Sequence, residues 1–203
     1  MARSDFDELL AILELSPTGP DTFAGRHPRK NPVRTFGGQL MAQAFVAASR
    51  TLPNPLPPSA LSVHFISGGH PDRDIEFTVV RLRDERRFAN RRVDAMQDGT
   101  LLATALVSYL AGGSGLEHNS AMPEVPEPHG LASIDDLLVG YEKVVPLFAE
   151  AMRPIEWRYT NDPAWVMRDK GDKLTRNRVW MKADGDMPED PVLHSAAMIY
   201  SSD

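Results

Sequence analysis

Residues 36–52 read Phe-Gly-Gly-Gln-Leu-Met-Ala-Gln-Ala-Phe-Val-Ala-Ala-Ser-Arg-Thr-Leu, with apolar or small side chains on nearly every face of a helix. A helix without a polar face has to be enclosed, so the rest of the chain must build walls around it. Prolines at 53, 55, 57 and 58 forbid its continuation and leave an extended connector.

The walls follow directly. Segments 61–66, 75–82, 88–96 and 101–110 have strand-like composition, and between them lie Gly68-Gly69-His70-Pro71-Asp72, Arg83-Asp84-Glu85-Arg86 and Gln97-Asp98-Gly99. These intervals suit hairpin connections, and Asp-Gly is a favoured tight-turn pair. One buried helix followed by an antiparallel meander is an α+β unit in which the sheet wraps the helix, which describes a hotdog fold. Upstream, Phe6, Leu9, Leu10 and Leu13 space a short amphipathic helix that stops at Pro17 and Gly19.

From Gly112 to Gly130 the composition shifts to Gly, Pro, Glu and Ser without apolar periodicity, the signature of a linker. Beyond it, 134–152 reads as a helix with a break or kink at Pro146, and 155–159 and 178–183 read as strands. Asp184-Gly185 is a turn, and 191–200 is an apolar helix capped by Asp190. The order begins to repeat the first half and stops. The expected organisation is a first hotdog domain at 1–111, a linker at 112–132, and the opening part of a second hotdog domain at 133–203.

Composition narrows the function. No run reaches the roughly 18 apolar residues of a membrane span, and the first residues lack the charged and apolar regions of a secretory signal, so a soluble, non-exported protein with no membrane partner is expected. Zero cysteines leave no disulfide framework, thiolate metal site or Cys nucleophile, and point to a reducing compartment, the cytoplasm. A formal charge of -6 argues against nucleic acid as a partner. Six arginines nonetheless lie within residues 81–92: Arg81, Arg83, Arg86, Arg87, Arg91 and Arg92. They read either as a solvated strand-turn-strand edge or as a receiver for a compact anion. Neighbours on a strand face opposite ways, so at most one of Arg91 and Arg92 can face a given pocket, as a phosphate contact or as a structural ion pair. Gln39, at the helix start, can offer its amide or the neighbouring backbone donors to a ligand. His64 reads as a structural histidine in an apolar strand, and Trp157, Trp165 and Trp180 read as packing residues. His118 and His194 form no metal spacing with nearby acids, and neither a metal nor a cofactor is expected.

Several blocks, in their order and spacing, resemble the acyl-CoA thioesterase II family, whose members carry two hotdog units in one polypeptide. They are Phe36-Gly-Gly-Gln39, Arg81-Leu-Arg-Asp84 with Phe88 and Arg91-Arg92-Val93, Gly115-Leu-Glu-His118 with Met122-Pro123, Arg178-Val-Trp180, and Tyr200-Ser-Ser-Asp203. The similarity runs from about Phe6 to Asp203. One strand departs from the family's usual His-Ser-Tyr-Phe followed by Arg-Pro-Gly: here Ser62-Val-His-Phe65 is followed by Ser67-Gly-Gly69, without the basic side chain. Family members also continue well beyond the position of Asp203.

The resemblance implies hydrolysis of acyl-CoA to free fatty acid and CoA, with Asp203 as the catalytic carboxylate. It acts there with a threonine and a glutamine from later strands, which no residue of this chain matches. Without the resemblance, Asp203 reads more simply as a stray charge at the end of an apolar helix. The chemistry is coherent, because a thioester carbonyl needs only an oriented water, a carboxylate base and a donor for the developing oxyanion. Expected partners are an acyl-CoA substrate, bound with help from Arg91, Arg92 or Gln39, the C-terminal remainder of the protein or a complementary chain, and further copies in a homo-oligomer. Without that complement, Val192, Leu193, Met198 and Ile199 would form an exposed apolar surface and the chain would be inactive. Two alternatives stand beside this reading. One is a non-catalytic acyl-CoA-binding hotdog module. The other is a hotdog enoyl-CoA hydratase, against which the spacing from Asp190 to His194 counts: it is four residues where that pattern wants five.

Overall fold

The computed structural model describes residues 4–29, 34–146, 151–171, 173 and 175–203. The first helix, α1 (Asp5–Leu13), starts in a reciprocal cap. Ser4 Oγ accepts the Asp7 N–H at 3.1 Å, and the Asp7 carboxylate accepts the Ser4 N–H at 3.3 Å. A hairpin of β1 (Ser16–Gly19) and β2 (Thr22–Gly25) follows, then α2 (Gly37–Arg50), β3 (Pro58–Phe65), β4 (Ile75–Asp84), β5 (Phe88–Gln97) and β6 (Thr100–Leu110). All six strands join one antiparallel sheet in the order β1-β2-β4-β5-β6-β3.

Alternation along the strands decides which side of the sheet meets α2. Phe77 and Val79 on β4, Val93 and Ala95 on β5, and Ala103, Ala105 and Val107 on β6 are buried, while the residues between them face outward. Three of these inward positions are alanines, which leaves depth for a helix. Leu40, Ala42, Phe45, Val46, Ala47 and Ala48 of α2 fill it. Each large apolar side chain buried here contributes about 1.5–3 kcal/mol. This is the expected α+β hotdog unit. Asp98 (φ 48°) and Gly99 (φ 78°) make the two-residue turn from β5 to β6 in the left-handed conformation such a hairpin requires. The β1–β2 hairpin falls where sequence reading saw only helix-stopping residues. Pro17 is tolerated because β1 lies at the edge of the sheet.

Residues 111–127 carry no regular element. The second half contains α3 (Ile134–Leu138), β7 (Ile155–Tyr159), α4 (Ala164–Lys170), β8 (Val179–Ala183) and α5 (Pro191–Tyr200), with β7 and β8 paired in a separate two-stranded antiparallel sheet. The helix expected over 134–152 ends early, because the chain leaves helical geometry at Val139 and Gly140 takes a left-handed φ of 85°. Residues 147–150 of that expected helix lie outside the described residues. Helix α4 was not expected. It sits between Pro163 and a left-handed Gly171 (φ 76°), the usual proline-before, glycine-after arrangement.

Asp190 caps α5, its Oδ1 accepting the Val192 N–H at 2.8 Å. Ala196, Ala197 and Tyr200 of α5 belong to the same continuous core as α2 and the six-stranded sheet. The two helices cross so closely that a Cβ on Gly38 would collide with the Tyr200 carbonyl oxygen. This contact changes the expected surface. Val192, Leu193 and Ile199 are partly buried against the core, and of the four expected apolar residues only Met198 is open, at 69% exposure.

Candidate active site

The first amides of a helix have no intrahelical acceptor, and the residue before α2, Phe36, offers no side-chain cap. Helix α5 supplies one from the other half of the chain. The Gly38 N–H donates to Asp203 Oδ2 at 3.1 Å. The carboxylate lies against the Gly37 α-carbon, where an added Cβ would stand 2.7 Å from Oδ2 and 3.1 Å from both Cγ and Oδ1. Beside it the Phe36 and Tyr200 rings meet edge-on, with centroids 5.0 Å apart. Among the described residues Oδ1 takes no hydrogen bond, and Asp203 is exposed. The arrangement is a carboxylate resting on the positive end of a buried helix, one oxygen bonded to its backbone and the other without a hydrogen bond among the described residues.

Gln39 is turned the other way. It is 1% exposed, and its Nε2 lies 3.2 Å from the Arg26 carbonyl oxygen, 3.2 Å from Gln43 Oε1 and 3.3 Å from His27 Nδ1. Gln43 Nε2 extends the chain of bonds to the Ile12 carbonyl at 2.8 Å and the Arg26 carbonyl at 2.9 Å. The two glutamines tie α2 to α1 and to the segment after β2. Burial holds the His27 imidazole below its ordinary pKa, which suits a neutral ring accepting from Gln39.

Arg91 is fully buried, and all five of its N–H groups are engaged inside the protein. Nε donates to Thr51 Oγ1 (2.7 Å), Nη1 to the carbonyls of Arg83 and Asn90 (3.0 Å each), and Nη2 to the Thr51 carbonyl (3.2 Å) and Asp84 Oδ1 (2.6 Å). A guanidinium has no further donor to give a phosphate. Of the two readings of Arg91, the geometry is that of the structural ion pair, and it ties the C-terminus of α2 to β4 and β5. Arg92 points to the outer face of the sheet, half exposed, 3.3 Å from Asp94. The other arginines of the cluster disperse. Arg81 makes two 2.8 Å bonds to Asp21, which hold that carboxyl below its ordinary pKa, while Arg83 pairs with Glu85 and stands over the Phe88 ring.

His64 is exposed on β3, opposite Thr104, and His194 Nε2 lies 2.9 Å from the Pro188 carbonyl oxygen. Trp157 and Trp165 pack around Tyr159, and Trp180 Nε1 donates to the Pro126 carbonyl at 3.0 Å, fastening the irregular stretch at 111–127 to β8. No group of three or more His, Cys, Asp or Glu side chains gathers as metal ligands would among the described residues. Among the described residues no helix is long and apolar enough to cross a membrane. A surface hollow of about 500 Å³ on the outer face of β7 and β8 includes Glu156, Arg158, Trp180 and Lys182, and none of the residues singled out for chemistry. Sequence reading found Asp203 and the glycine-rich start of α2 separately and did not connect them. The available signal was an all-apolar helix opening on Gly-Gly with no capping side chain of its own.

Two family models match the chain: acyl-CoA thioesterase N-terminal domain over residues 26–110, and acyl-CoA thioesterase over residues 148–203. Human acyl-coenzyme A thioesterase 8 is 29% identical over 204 residues, covering 95% of this chain and 63% of that protein. The chain therefore spans a little under two thirds of that relative. Acyl-CoA thioesterase 2 of Haemophilus influenzae is 28% identical over 205 residues, covering 97% of this chain and 70% of its own. Among solved structures, the tesB protein of Mycobacterium avium subsp. paratuberculosis superposes with a TM-score of 0.76 at 29% identity, over 97% of this chain and 69% of its own. The two acyl-CoA thioesterase models together match more than half of the chain and the hotdog architecture is shared, so the chain belongs to the TesB-like acyl-CoA thioesterase II family.

Proposed function

We propose that the complete protein hydrolyses the thioester of fatty acyl-CoA to free fatty acid and CoA, with Asp203 as the base. The observation that carries this reading is the seat of Asp203 on the N-terminus of α2, with Oδ2 held by the Gly38 N–H and Oδ1 open. In the step proposed, Oδ1 draws a proton from water as its oxygen bonds to the thioester carbonyl carbon. The tetrahedral intermediate then collapses, the carbon–sulfur bond breaks, and the CoA sulfur leaves with the proton. No cofactor enters this chemistry.

The threonine and glutamine implied by the family resemblance are proposed to come from the part of the relatives' length that this chain does not span, carried by the same polypeptide or a complementary one. In this reading residues 1–111 form the first hotdog domain, 112–132 the linker and 133–203 the opening of the second. Homo-oligomeric assembly and a cytoplasmic setting, the latter resting on the absence of cysteine, complete the proposal.

Arg91 has no place in substrate binding here, and Gln39 acts through the architecture of α2. The test is release of free thiol from a series of acyl-CoAs of increasing chain length by the complete protein. Turnover with at least one chain length is expected. Tight acyl-CoA binding without thiol release would establish a binding module instead, and loss of the conjugated double bond of an enoyl-CoA would establish a hydratase.

A further inference from the structure

The six-stranded unit contains no residue of the proposed base, yet it touches that base directly. We infer that Gly37 and Gly38 are positioning residues: the N-terminus of α2 holds the Asp203 carboxylate from across the chain and determines which of its oxygens meets water. The inference rests on the thioesterase reading of Asp203 and extends it to the start of α2.

Three observations converge. The Gly38 N–H is the one donor that reaches the Asp203 side chain among the described residues, and it selects Oδ2. At Gly37 the space that a Cβ would need is taken by the carboxylate itself, with Cγ and both oxygens 2.7–3.1 Å from that point. The absence of a side chain is what lets the group come this close to the helix backbone. At Gly38 the missing Cβ serves the backbone, since it would meet the Tyr200 carbonyl and push α5 away. One glycine therefore sets the spacing of the two helices, and the other sets the orientation of the carboxylate that α5 carries. Neither Gly37 nor Gly38 has a positive φ, so steric room is what each position requires of its residue. A base displaced by about 1 Å from its reacting geometry loses up to about a hundredfold in rate.

Gly37→Ala separates positioning from folding, because the three atoms nearest its new methyl all belong to the Asp203 carboxylate, whereas Gly38→Ala strikes backbone and perturbs the helix crossing. The experiment compares wild type, Gly37→Ala, Asp203→Asn and the double variant in the complete protein, by steady-state thiol release and by the amide spectrum of Gly38. The expected result is a Gly37→Ala protein with native circular dichroism, kcat lower by about ten- to a hundredfold and KM unchanged, with no further loss in the double variant relative to Asp203→Asn. The Gly38 amide resonance moves in both single variants. A Gly37→Ala kcat within twofold of wild type while Asp203→Asn is inactive, or losses that multiply in the double variant, overturns the positioning role and leaves the thioesterase reading standing. Wild-type turnover by Asp203→Asn overturns the reading beneath it.

Discussion

Arg91 and Arg92 stand side by side on β5 and point to opposite faces of the sheet. Arg91 fills a buried site in which five acceptors match its five donors, while Arg92 keeps one 3.3 Å partner at the surface. The consequence is a sharp difference between two neighbouring alanine substitutions. Removing Arg91 leaves the Thr51 carbonyl and the Asp84 carboxylate without their donor, and Asp84 is about one-third exposed, which softens the penalty. Arg91→Ala should lower unfolding stability by about 2–4 kcal/mol, and Arg92→Ala by no more than about 0.5 kcal/mol. Urea midpoints measured on both variants check this, and equal midpoints would remove the buried network from the account. At this scale the alternation of Arg91 and Arg92 was legible, since strand geometry alone puts them on opposite faces. Which of them is inside was not, because that depends on the Thr51 carbonyl at the far end of α2, forty residues away in the chain.

Among the elements, those with strong periodicity or strong punctuation were readable. Helix α2, the four strands after it and α5 appear within a few residues of where apolar pattern, proline and Asp-Gly placed them. The β1–β2 hairpin was hidden because proline and glycine in a four-residue edge strand look the same as a helix stop. The helix expected over 134–152 overruns α3 because Gly140, with its φ of 85°, is a left-handed terminator. Helix α5 matters most, since it carries Asp203, and its start depends on one side chain. Asp190→Ala should cost about 0.5–2 kcal/mol of stability, and Asp190→Asn should recover most of it, because either side-chain oxygen can accept the Val192 N–H. Thermal unfolding of the pair tests this. An alanine variant as stable as wild type would show that packing of Ala196, Ala197 and Tyr200 holds α5 without its cap.

Over the whole molecule, one continuous core joins the six-stranded unit to α5, so the irregular stretch at 111–127 separates two parts of the sequence that share an interior. That joint core brings the end of α5 onto the start of α2, 165 residues apart in sequence between Gly38 and Asp203. The sequence contained both halves of the candidate site, a carboxylate after an apolar helix and a Gly-Gly before another. Their meeting is a tertiary fact set by the crossing of α2 and α5, which no local pattern encodes. In the proposed reading, hydrolysis therefore depends on a single carboxylate. The most direct measurement is the steady-state rate of thiol release from a turned-over acyl-CoA by the complete protein and by its Asp203→Asn variant, each shown to be folded. A general base at Asp203 requires a loss in kcat of about 10²–10⁴-fold with substrate binding retained, whereas wild-type kcat in the variant would rule that role out.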